Sequence, residues 1–229
     1  MAFKLERTWQ EWRGFLLFIA IMLMFRSAIA DWHQVPTGSM IPSILAGDRI
    51  VVDKTAYDLR IPFTFLRLAR WADPQRSDVV TFESPTDGRL LVKRIIGIPG
   101  DTVRLHDNVL FINDNQAQYQ PLPQAKIPHP LKALYPYVQI SLERILGESR
   151  MMMVQSKNHP QARSSFGPIE VPPDRYLVLG DNRDNSQDFR YIGFIDRDRI
   201  LGKANSIAFS LDYENYYVPR KDRFFRDLD

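Results

Sequence analysis

Leu90-Leu91-Val92-Lys93-Arg94-Ile95-Ile96-Gly97-Ile98-Pro99-Gly100-Asp101 is the stretch on which the fold turns. It is apolar on both sides of a two-residue alternation, which reads as a strand interrupted by two cations. Strand period puts Lys93 on the face of Leu91 and Ile95, and Arg94 on that of Val92 and Ile96. An apolar setting disfavours an ammonium and lowers a lysine pKa, whereas a guanidinium keeps its charge. Lys93 is therefore a candidate general base. The bland reading is a cation whose stem packs on the sheet while its head reaches water.

Similar short runs surround it. Arg49–Asp53, Asp78–Glu83, Thr102–Leu105, Val109–Ile112, Tyr176–Leu179 and Ile207–Leu211 are apolar or alternating, and Asp, Asn, Gly and Pro turns separate them. This pattern predicts a mainly β chain of antiparallel sheets. Strand signals thin out and prolines accumulate from Asn113 to Pro173, where Tyr137–Leu146 reads as a strand or a short helix. That stretch, 113–173, is expected to be an insertion or second subdomain, with the β core in 33–112 and 174–229.

Upstream lies Val35-Pro36-Thr37-Gly38-Ser39-Met40-Ile41-Pro42-Ser43-Ile44. Two prolines fix φ and remove backbone donors, so Ser39 sits in a stiff, non-helical turn just before a strand. A hydroxyl presented that way is a candidate nucleophile. Taken alone, the stretch favours an ordinary turn serine. The loop Gly180-Asp181-Asn182-Arg183-Asp184-Asn185-Ser186-Gln187-Asp188-Phe189-Arg190-Tyr191-Ile192-Gly193 alternates acids as a calcium loop does. It lacks that pattern's glycine and terminal glutamate. A solvated turn, or a loop whose ion pairs position neighbours such as Ser186, are the other readings.

The N-terminus carries an uninterrupted apolar run, Gly14–Phe25, too short alone for a bilayer. Continuing to Trp32 gives about twenty residues, with Arg26 able to snorkel and Trp12 and Trp32 suited to the interfaces. Residues 14–32 are thus expected to be a transmembrane anchor. Lys4, Arg7 and Arg13 keep residues 1–13 cytoplasmic and send the rest across. A cleavable signal peptide ending at Ala28-Ile29-Ala30 is the rival. Ile61–Trp71 mixes large apolar residues with Arg67 and Arg70, and reads either as a packed hairpin or as a ribbon dipping into the outer leaflet.

The 229 residues carry a net charge of +3 without basic clusters, which gives nucleic-acid binding no support. There is no cysteine, hence no disulfide, thiol nucleophile or thiolate ligand. His33, His106, His129 and His159 show no metal-ligand spacing. No cofactor is implied.

Taken together, the anchor, Gly38-Ser39-Met40-Ile41-Pro42 with Gly47-Asp48, Ser77–Phe82, Lys93–Asp101 and Gly180–Gly193 resemble the bacterial type I signal peptidases. These are membrane-anchored Ser/Lys peptidases. The resemblance covers the anchor and most of the β core, but not convincingly 113–173. It implies an antiparallel β catalytic domain behind one N-terminal transmembrane helix, in the inner membrane with the domain outside. Its partners would be signal peptides of exported preproteins and membrane lipid. Position by position, it makes Ser39 the nucleophile, Lys93 its base and Ser186 the group that orients the lysine. The Ser39 N–H and Thr37 hydroxyl would form the oxyanion hole. Family members often have serine at the position of Thr37. Asp181, Arg183, Asp188 and Arg190 would hold the loop, and Val35, Met40, Ile44 and Val92 would line small substrate pockets. His33 stands where a large apolar residue is common. A peptidase dedicated to one substrate, such as a conjugative pilin precursor, and a non-catalytic anchored binding protein are the alternatives.

Overall fold

The computed structural model describes residues 2–64, 66–127, 131–132, 136–155, 163–213 and 215–228. Helix α1 spans Ala2–Ala28. The chain turns at once into β1 (Ala30–Gln34), then β2 (Asp48–Asp53), β3 (Asp58–Arg60), β4 (Arg67–Arg70), β5 (Val79–Glu83) and β6 (Leu90–Gly97). There follow β7 (Thr102–His106), β8 (Val109–Ile112), β9 (Asn115–Gln116), β10 (Gln118–Pro121), β11 (Val138–Ile145), β12 (Glu148–Gln155) and β13 (Phe166–Glu170). Strands β14 (Arg175–Leu179), β15 (Ile195–Asp196) and β16 (Ile200–Asp212) complete the body, with a four-residue helix α2 (Phe189–Ile192) between the first two.

The main sheet runs β1-β2-β16-β5-β6-β14-β15, its neighbours antiparallel. Val79 packs with Val35, Met40, Ile44, Ile50 and Val52, while its neighbour Val80 packs with Tyr57, Phe82, Ile95 and Val178. Alternate residues of one strand thus feed two cores, as the doubly apolar reading of the central strands requires. Mainly antiparallel β, the expected class, is what the chain adopts.

One boundary differs from expectation. The helix stops at Ala28, and Ala30–Trp32, taken as the end of an anchor over 14–32, pair with Asp53–Val51 instead. The free edge of β2 supplies backbone partners there, so hydrogen bonding overrides the apolar pattern. Among the described residues no helix is long and apolar enough to cross a membrane. The run Gly14–Phe25 gives only about 18 Å at 1.5 Å per residue, against a hydrocarbon core of about 30 Å. Its side chains from Phe15 to Phe25 are largely exposed.

The stretch 113–173 holds more strands than its sequence signals suggest. Strands β10-β11-β12 form a three-stranded sheet, and β13 joins β7, β8 and β9 in another. Tyr137–Leu146 resolves as strand β11. His129 and His159 lie outside the described residues, as does Phe65 of the Ile61–Trp71 stretch. That stretch forms the turn and second strand of the β3–β4 hairpin, and its Phe63, Leu66, Leu68 and Trp71 are all exposed. Arg67 is held by Asp58 and Asp198, and Arg70 by Asp73.

Candidate active site

Ser39 lies in the turn between β1 and β2, and Lys93 on β6, 54 positions later. The structure brings them together: Lys93 Nζ donates to Ser39 Oγ at 2.8 Å and to the Val92 carbonyl at 2.9 Å. Lys93 is only 3% exposed. Burial pushes its ammonium down to about 8 from an ordinary 10.5, and the more distant carboxylates of Asp188 and Asp181 offset only part of that. A lysine with pKa 8 is neutral in about one molecule in ten at pH 7, against fewer than one in a thousand for an exposed one. The pair can therefore exchange a proton near neutral pH.

A cleft of about 550 Å³ opens on this pair. One wall is the segment from His33 to Met40, which carries Val35 and Thr37; the other is Leu90 to Lys93. Asn185 and Gln187 reach it from the Gly180–Gly193 loop, Asp87 and Arg89 from the turn before β6. Val35, Met40 and Val92, expected to line pockets, all border it. Ile44 does not: it is fully buried in the core cluster behind Met40, and so bears on the cleft only through that neighbour. Thr37 is exposed on the cleft wall two residues before Ser39.

The Gly180–Gly193 loop is pinned from several sides. Arg94 makes a two-pronged ion pair with Asp181, at 2.9 and 2.8 Å. Asp188 accepts from the Gly180 N–H at 3.0 Å and caps α2 through the Arg190 N–H. Arg190 grips Asp188 and donates to the Arg183 carbonyl. Ser186 is buried, and its hydroxyl has no hydrogen-bond partner among the described residues. It lies against Gly180. A Cβ at that glycine would sit 2.3 Å from Ser186 Oγ and 2.5 Å from the Ser39 carbonyl oxygen, so no other residue fits. Ser186 and the Ser39 turn are therefore packed together, although no bond from Ser186 to Lys93 is formed.

Two groups at this site escape sequence reasoning. Glu143 on β11, fully buried, accepts from Arg183 Nη2, Arg150 Nε and the Tyr119 hydroxyl, each at 2.7 Å. Burial alone would raise its pKa, but Arg183 and Arg150 reverse this and hold it near 2. Asn182, inside the loop motif, binds the carbonyls of Gly38 and Ser39. Nothing in composition or spacing ties 143 to 183, and an asparagine among so many polar loop residues carries no mark of its own.

Residues 9–209 match the family model described as signal peptidase, peptidase S26. The chain belongs to that family. It is 34% identical over 210 residues to signal peptidase I of Pseudomonas fluorescens, covering 86% of this chain and 71% of that one. Signal peptidase I of Rickettsia bellii (strain OSU 85-389) is 33% identical over 224 residues, covering 90% and 74%. A crystal structure of a signal peptidase I from Enterococcus faecalis V583 shares 29% identity, covering 58% of this chain and 97% of that one; its TM-score of 0.35 says nothing about shared architecture. The chain is accordingly a signal peptidase I, a serine endopeptidase that removes N-terminal signal peptides. Neither the dedicated peptidase nor the binding protein is favoured.

Proposed function

We propose that Ser39 is the nucleophile and Lys93 its general base. The observation that carries this is the 2.8 Å contact between Ser39 Oγ and a buried amine whose pKa lies near 8. Neutral Lys93 takes the hydroxyl proton as Oγ bonds to the scissile carbonyl carbon, whose oxygen becomes an oxyanion. The Ser39 N–H and Thr37 hydroxyl stabilise that charge. Collapse breaks the C–N bond, and the Lys93 ammonium returns its proton to the departing amine. Water, deprotonated by Lys93, then attacks the acyl-enzyme ester and frees Ser39. Ser186 takes the lysine-orienting role that the family resemblance implies, its unpaired hydroxyl being packed on the Ser39 turn, while Asp181, Arg183, Asp188 and Arg190 hold its loop. Substrates carry small residues at the first and third positions before the cut, to suit pockets shaped by Val35, Met40 and Val92, with Ile44 behind them. Ser39→Ala and Lys93→Arg should each abolish cleavage with the fold intact by circular dichroism, since a guanidinium keeps its proton at workable pH. Turnover in Lys93→Arg removes the base assignment.

The chain acts at a membrane, with α1 as its anchor and the β body on the extracytoplasmic side. The support is large apolar side chains exposed among the described residues. The side chains from Phe15 to Phe25 stand exposed, and the end of α1 meets the β3–β4 hairpin where the Phe63 N–H donates to Ser27 Oγ at 2.7 Å. Phe63, Leu66, Trp32 and Trp71 are exposed large apolar residues as well. Arg26, over the Trp32 ring and bonded to Asp31, marks the headgroup level. Ala28-Ile29-Ala30 matches the substrate pattern, yet Ala30 and Asp31 are locked in the β1–β2 ladder, so the anchor is retained. Intact-mass measurement of carbonate-washed membranes tests both points. A released protein, or one beginning at Asp31, overturns them.

A further inference from the structure

A signal peptidase needs its oxyanion donor aimed before substrate arrives, because donors that must reorient lose much of their effect. The donor proposed above is the N–H of Ser39. It belongs to the peptide unit that also contains the Gly38 carbonyl. That unit is trans and planar, so fixing its C=O fixes the opposite direction of its N–H. Gly38 gives the backbone unusual latitude just there.

Asn182 holds this unit and the next. Its side-chain Nδ2 donates to the Gly38 carbonyl at 3.0 Å, and its backbone N–H donates to the Ser39 carbonyl at 3.1 Å. Among the described residues the one backbone donor to the Gly38 carbonyl is the Ile41 N–H, at 3.2 Å, from the same turn. The Asn182 amide cannot be turned over, since its Oδ1 would then face a carbonyl oxygen. It is 3% exposed, and its Oδ1 has no partner among the described residues. A buried amide that leaves one end unsatisfied is kept for what its other end does.

Asn182 is itself held from 113–173. It bridges Met153 of β12 in parallel, with the Met153 N–H donating to the Asp181 carbonyl at 2.8 Å and the Arg183 N–H to the Met153 carbonyl at 2.9 Å. The next side chain, Arg183, is fastened to Glu143 on β11. The nucleophile's turn therefore rests, through one asparagine, on the β11–β12 hairpin.

We infer that Asn182 is a positioning residue that aims the Ser39 N–H into the oxyanion hole, with β11 and β12 as its support. The inference rests on the oxyanion role given to that N–H. The test uses the full-length enzyme in detergent, with Asn182→Ala and, to keep the volume, Asn182→Leu. Rates on a peptide with alanine at the first and third positions before the cut are normalised to the folded fraction by circular dichroism. Turnover should fall about ten- to a hundredfold, less than the 10²–10³ typical of deleting a donor outright, with KM within about twofold. A peptide aldehyde, which adds the Ser39 hydroxyl across its C=O and leaves an oxygen in the hole, should lose affinity by the same factor. The matching peptide alcohol should bind as before. Unchanged turnover per folded molecule overturns the inference, as does equal weakening of aldehyde and alcohol, which marks a merely structural role. Ser39→Ala, run in parallel, separates the two layers. If it stays active the site reading fails; if it is dead while both Asn182 variants are normal, only the positioning role falls.

Discussion

Lys93 and Arg94 are neighbours on one strand, both cationic and both nearly fully buried, and their surroundings treat them in opposite ways. Arg94 meets Asp181 with two hydrogen bonds and the Ser77 carbonyl with a third. Lys93 is given a hydroxyl and a carbonyl but no carboxylate in contact. Around Arg94 the pattern spreads into Arg150, Glu143, Arg183 and Tyr119, where every cation has an acid. Burial without a counter-ion tunes an amine for proton transfer; burial with one makes a brace. Residue type sharpens the division, because only lysine can give up its proton under these conditions.

Breaking the brace should give the largest change in stability. In Glu143→Gln, Arg150 and Arg183 stay buried without their anion, a loss of about 3–5 kcal/mol by the usual cost of splitting such a pair. Urea denaturation at pH 7 measures it. The sign in pH follows from the depressed carboxyl. Its contribution is complete above its ordinary 4.5 and disappears as pH falls through about 2. The wild-type advantage over the variant should therefore shrink in acid. An undiminished advantage at pH 2 removes Glu143 as the cause.

Such a brace is hard to read in a sequence. In β11 the polar Ser141 and Glu143 are buried while Leu142 between them is only half covered. The alternation is inverted at one end because arginines wait on the inner side. Hydrophobic period therefore misplaces the strand's faces. Strand β1 was illegible for another reason: its partner edge, not its composition, makes it a strand. The central strands and the Ser39 turn could be read because local rules, doubly apolar runs and bracketing prolines, agree there with the tertiary structure. Sequence could also place Lys93 in an apolar strand, but its distance to Ser39 depends on a contact 54 positions apart. Only the family resemblance joined them.

The unpaired member of the comparison should destabilise the fold it serves. Holding Lys93 near 8 instead of 10.5 costs the protonated folded state up to about 3 kcal/mol, at 1.36 kcal/mol per unit. Lys93→Met, similar in length and uncharged, should therefore be inactive yet more stable than wild type at pH 7. Between pH 8 and 10.5 the unfolded chain binds the proton that the folded one has released, so wild-type stability recovers with rising pH and the variant's advantage fades. Thermal melts of both proteins across pH 6–10 show it. A variant less stable than wild type at pH 7 means that Lys93 packs favourably as an ion.

The smallest expected effect is the most discriminating between the two residues' surroundings. The acid limb of kcat/KM should have its midpoint near pH 8, rising about tenfold per unit below it, because only neutral Lys93 accepts the serine proton. The first cause of that midpoint is burial. The charges that act on Lys93 are the carboxylates of Asp188 and Asp181, which are themselves 0% and 2% exposed. Salt screens exposed charges over about 10 Å at 0.1 M but reaches buried ones poorly. Raising salt from about 0.05 to 0.5 M should therefore move the midpoint by no more than a few tenths of a pH unit. A limb governed by exposed charge, such as Asp87 or Arg89 at the cleft rim, would move further. Titrating kcat/KM at both salt concentrations with one short, uncharged peptide keeps substrate electrostatics out of the comparison. A displacement of a full unit would show that the amine is tuned by the solvent-facing rim, and that burial on β6 is not what separates Lys93 from Arg94.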